Sequence, residues 1–104
     1  AVQKDNTRNI QKIVYMKIVE GFKMRSLGKD HIVVPEGLGV VNFNKMIVLN
    51  SSAAYLWESV QGRDFSVEDL RNLLLAQYEV DEQTAATDAG KIASSWIEAG
   101  IVSE

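Results

Sequence analysis

The chain has 104 residues, 46% of them hydrophobic and 24% charged, with a net charge of −3, one His and no Cys. That length is one domain with a small core, and the absence of thiols excludes a disulfide framework, comes close to excluding structural zinc and permits a reducing cytoplasm. The longest apolar windows, such as IVYMKIV at 13–19, are interrupted by Lys17 and fall far short of the roughly 20 residues of a membrane span, and no secretory signal is visible.

Charge is placed unevenly. Residues 1–30 carry seven Lys or Arg against three acids, and the remainder carries four against eleven. The plain reading is solvated faces on a small domain. The sharper reading is that the acidic helical half repels nucleic acid while the basic N-terminal hairpin steers an acidic partner.

In chain order, residue 1 is Ala, which suggests a processed chain or the trailing part of a longer one, so no function is built on residues 1–15. They are read as an N-terminal extension of unassigned role, ahead of a domain over 16–104. KIVYMKIV, β-branched and edge-seeking, is expected to occupy a neighbouring molecule's strand edge and give a homodimer. FKMRSL at 22–27 alternates apolar and basic residues at its start, GKD offers a turn, and HIVVP closes a second strand, so a β-hairpin is predicted. Phe22 and Met24 share its buried face, with Lys23 and Arg25 on the wet one.

A glycine-rich link leads to Met46, Ile47, Val48 and Leu49, a short apolar run with a β-branched centre that predicts a mostly buried strand. After Asn50, an N-cap residue, Ala53, Leu56, Trp57 and Val60 recur at helical spacing as far as Gly62. Ser66 with Asp69 resembles a capping box, and Val67, Leu70, Leu73 and Leu74 form the buried stripe of a second helix. The third helix starts near Asp81 and runs to Gly100, with Ala85, Ala89, Ile92, Ala93, Trp96 and Ile97 on one side.

Catalytic chemistry is hard to find in this order of residues. His31 stands alone beside a strand, with no Cys, second His or Ser motif near it in sequence, so it is read as structural or surface. GLGVVN at 37–42 has two glycines of a dinucleotide fingerprint but lacks the third. Glu68, Asp69, Asp81 and Glu82 sit at helix starts, where acids favour the positive end of the helix dipole. Trp57 and Trp96 lie on apolar stripes and are assigned to the core. No calcium loop, nucleophile elbow or metal motif is present, so no catalytic residue, metal ligand or cofactor is assigned and an enzyme is not expected.

The stretches VLNSSAAYLWESVQG (48–62) and YEVDEQTAATDAGKIASSWIEAGIV (78–102), with the GFKMRSLGKDHIVVPEG hairpin before them, resemble the PqqD family, small proteins of pyrroloquinoline quinone biosynthesis and their relatives. The resemblance rests on Leu49 and Asn50, Ala54 to Trp57, Asp88 and Ala89, and Gly100 to Val102. It implies an α+β, winged helix-turn-helix-like domain of three antiparallel strands followed by three helices. It also implies a non-catalytic, cytoplasmic peptide chaperone, the kind of domain called a RiPP recognition element. Such a domain binds the leader of a ribosomally made precursor peptide and presents it to a modifying enzyme, commonly a radical S-adenosylmethionine enzyme.

The residues support that reading independently, because an extended peptide can add to a sheet edge through main-chain hydrogen bonds. The expected groove lies between the strand carrying Met46, Ile47 and Val48 and a strip of small residues on the last helix, Ala86, Gly90 and Ser94, which recur every four residues. Gly90 has a plainer explanation in close packing against the domain's own strand or drift on an exposed face. Two alternatives stay open: a winged-helix nucleic-acid binder, disfavoured because only Arg63, Arg71 and Lys91 are basic beyond residue 50, and a general protein-interaction module.

Overall fold

The computed structural model describes residues 13–36 and 47–104, and Met46 and the GLGVVN stretch lie outside the described residues. The elements are β1 (Lys17–Ile18), β2 (Phe22–Leu27), β3 (Asp30–Pro35), β4 (Ile47–Leu49), α1 (Ser51–Ser59), α2 (Val67–Gln77), α3 (Glu82–Ala99) and β5 (Val102–Ser103). β2, β3 and β4 form a three-stranded antiparallel sheet in that order, so the predicted hairpin and apolar strand make one sheet, followed by three helices. The architecture is α+β.

Helix boundaries follow local chemistry. Ala53 N–H donates to Asn50 Oδ1 at 2.9 Å, so the side chain that stops β4 also starts α1. At α2, Asp69 N–H donates to Ser66 Oγ and Ser66 N–H donates to Asp69 Oδ2, a reciprocal capping box with Asp in the place usually held by Glu. Thr84 N–H donates to Asp81 Oδ1 at the start of α3. That helix ends on Gly100 with φ 81°, where Gly100 N–H donates to Ile97 O and Ile101 N–H donates to Trp96 O. This left-handed closure suits glycine, and it turns the chain back into β5.

Because Ser66 is nearly buried, its cap cannot be replaced by water. Ser66→Ala is expected to destabilise the domain by about 1 kcal/mol. In a domain of this size that is a fall of roughly 4–8 °C in Tm, readable by thermal unfolding followed by circular dichroism.

One core joins the sheet to the helices. Its largest fully buried side chains include Trp57, Trp96, Phe65, Leu56 and Leu70. Trp96 meets Trp57 edge to face at 5.4 Å between ring centroids and Phe65 at 6.2 Å, so α1, α3 and the loop before α2 share one aromatic contact. Val67 and Ile97, expected on buried stripes, are each 38% exposed. Val67 is the first residue of its helix, and Ile97 lies at the margin of its stripe, where the cover given by neighbouring elements ends.

A second, two-stranded ladder was not predicted. Lys17 and Ile18 pair antiparallel with Ser103 and Val102, and Met16 forms a bridge with Phe65. The strand-seeking segment therefore finds part of its edge in its own C-terminus, where the turn at Gly100 presents it. Ile13, Val14 and Tyr15 remain exposed ahead of that ladder.

Candidate functional site

The register of the sheet decides which main-chain groups are left for a partner. Glu36 N–H donates to Gly21 O, which makes the pairs Lys23–Val34 and Arg25–Ile32 hydrogen-bonded as the ladder alternates. β3 thus directs its even-numbered groups to β2 and its odd ones, His31 and Val33, to Leu49 and Ile47. Val48, opposite Ile32, is left with its N–H and C=O pointing away from the sheet. No described residue pairs with that side of β4, and the Val48 side chain is 60% exposed.

Ile47 faces the other way, half-buried beside Val33 and packed on the core. The helix strip lies on the solvent side of α3, one step from the buried row Ala85, Ala89 and Ala93. Ala86 borders a cleft of about 390 Å³ together with Ile13, Val14, Val67 and Arg71, beside the start of α2. Ser94 is exposed. Gly90 is half-buried in ordinary helical geometry, and a Cβ at this position would meet nothing within 4 Å beyond its own helix backbone among the described residues. Close packing against the domain's own described residues therefore does not explain this glycine.

The predicted site residues are not gathered in one cavity. The 390 Å³ cleft contains Ala86 but no residue of β4, and a larger cleft of about 910 Å³ beside β2 contains neither β4 nor the strip. That larger cleft, between the outer side of β2 and the end of α1, was missed from sequence. Its signals in the sequence are the alternation of Lys23, Met24 and Arg25 and the basic excess of residues 1–30, neither of which specifies a cleft.

Electrostatics at the hairpin centre on Arg25 and Glu36. The guanidinium is bidentate on the carboxylate, with Nε to Oε2 at 2.6 Å and Nη2 to Oε1. The hydrogen bonds from Arg25 hold the Glu36 carboxyl below the usual range, and they raise the guanidinium pKa in turn. A carboxylate lowered in the folded state stabilises above its unfolded pKa, and that contribution is lost as pH falls through the lowered folded value. Both groups are exposed, so the effect is small and salt-screened. Wild type is expected to lose more Tm than Glu36→Gln between about pH 5 and pH 3, and less so in high salt.

His31 sits between Ser26 and Leu49, and its buried Nδ1 has no hydrogen-bond partner among the described residues. Among the described residues no group of three or more His, Cys, Asp or Glu is placed to hold a metal, and no helix is long and apolar enough to cross a membrane.

The domain is a small α+β unit in which the outer side of β4 pairs with no described residue. The sequence model of the family described as Coenzyme PQQ synthesis protein D (PqqD) matches residues 31–102, most of the chain, and the chain belongs to the PqqD family. The match takes in β3 from His31 onward, β4, all three helices and the first residue of β5, and it leaves β1 and β2 outside. Members of this family are non-catalytic accessory proteins of biosynthesis. Comparison with curated proteins and with solved structures yields no match.

Proposed function

We propose that this chain is a peptide chaperone that holds the leader of a ribosomally made precursor as an added strand on the outer side of β4. It presents that peptide to a modifying enzyme, in our reading a radical S-adenosylmethionine enzyme of the cytoplasm. The observation that carries the proposal is the outward-facing N–H and C=O of Val48 on an edge that no described residue pairs with, in a member of the PqqD family. Main-chain bonding of this kind gives affinity to an extended segment whatever its sequence, and flanking pockets select side chains. In the same reading α1, α2 and α3 with the β2–β3 hairpin form a winged helix-turn-helix-like unit, and residues 1–15 are an extension outside it. In this reading Val48 offers the strand side of the groove, and Ala86, Gly90 and Ser94 on α3 are the proposed second wall.

Gly90 tests the second wall. Its Cβ position is open, so Gly90→Ala should stabilise the free domain by about 0.5–1 kcal/mol through helix propensity. Gly90→Leu should also fold. If the strip is a groove wall, titration of Gly90→Leu with the cognate leader peptide shows weaker binding than wild type. Unchanged affinity moves the wall elsewhere.

A further inference from the structure

The three-stranded sheet has a second outer edge, on β2. By the same alternation that frees Val48, the main-chain groups of Met24 and Ser26 point away from β3. The 910 Å³ cleft lies along this edge, and Ile18 and a half-buried Met24 supply its apolar lining. Four cations line it, Lys17, Lys23, Arg25 and Arg63, against two acids, Glu20 and Glu58. Arg25 is held by Glu36 and Arg63 lies 3.8 Å from Asp69, so the cleft itself keeps Lys17 and Lys23 against Glu20 and Glu58, and the positive charge that flanks the β2 edge is that of Lys23 on the exposed face, beside the Arg25–Glu36 pair.

We infer that the β2 edge is a second binding site, for an extended, acidic segment of a partner protein. Cross-strand chemistry specifies the segment. A strand added outside β2 places alternate side chains on the exposed face beside Lys23, where opposite charge is favoured, while Arg25 is already engaged by Glu36. Its other side chains fall beside Met24 on the cleft side, where apolar groups are favoured. The partner segment therefore alternates acidic and apolar residues. An edge strand carrying Lys and Arg is also protected against indiscriminate pairing, since a neutral or basic strand gains nothing from those charges. With β4 on the opposite side of the sheet, both edges can be filled at once. The β2 site does not depend on what β4 holds.

The probes are two five-residue blocked peptides, one alternating glutamate with valine and one alternating lysine with valine, titrated into the 15N-labelled full chain. The glutamate peptide is expected to shift the amides of Met24 and Ser26, to leave residues 47–49 unmoved, and to bind several-fold more weakly as salt rises. Lys23→Glu should weaken it at least fivefold. Ser26→Pro should do the same, because it removes an outward donor that β3 does not use. The inference is overturned if the lysine peptide binds equally well, if shifts fall on 47–49 and not on β2, if both variants bind as wild type, or if the glutamate peptide gives no shift up to millimolar concentration.

Discussion

Trp96→Ala is expected to lower the unfolding free energy by about 3–5 kcal/mol, a large share of the roughly 5–15 kcal/mol typical of a domain. Trp96 is 2% exposed and packs edge to face on both Trp57 and Phe65. Truncation removes the contact that joins α3 to α1 and to the loop before α2. Phe65 also exchanges main-chain hydrogen bonds with Met16, at 2.6 and 2.9 Å, so loosening its ring loosens the entry of β1. A rigid helical frame cannot collapse into so large a cavity, which places the cost in the upper part of the range for buried side chains. Chemical denaturation should show a lower midpoint with an unchanged slope. Trp57→Phe should cost much less than Trp57→Ala, because the ring is largely kept and the buried Nε1 of Trp57 has no hydrogen-bond partner among the described residues.

Val48→Pro should leave the fold intact and weaken leader-peptide binding at least tenfold. Proline is tolerated where a strand's N–H faces outward, and Val48 is the described β4 residue in that position. Losing one main-chain donor costs about 0.5–1.5 kcal/mol net, and the ring also obstructs the approach of an added strand. Together these exceed the 1.4 kcal/mol of a tenfold change in Kd. Isothermal titration checks the affinity, and an unchanged Tm checks that the loss is local.

The contrast between these two variants follows what could be read from the sequence. Helix limits were legible because caps act within three or four residues: Asn50 on Ala53, Ser66 on Asp69, Asp81 on Thr84, and Gly100 at its left-handed turn. The hairpin was legible from the alternation of Phe22, Lys23, Met24 and Arg25. The β1–β5 ladder was not, because two-residue strands carry no period and Lys17 meets Ser103 only after the whole chain has folded. Nor was the larger cleft, since Lys17 and Arg63 share it through the bridge from Met16 to Phe65. At the candidate site, sequence reasoning named Val48 but not the direction of its main-chain groups. That direction depends on the register of β3 against both neighbours, and a one-residue slip would reverse it.

Backbone amide shifts of the 15N-labelled chain, recorded while the cognate leader peptide is added, test the peptide-chaperone account most directly. The account predicts the largest changes at Ile47, Val48 and Leu49, with a second set at Ala86, Gly90 and Ser94 on α3. Saturable binding that leaves residues 47–49 unmoved, or no binding of that leader at all, would contradict it.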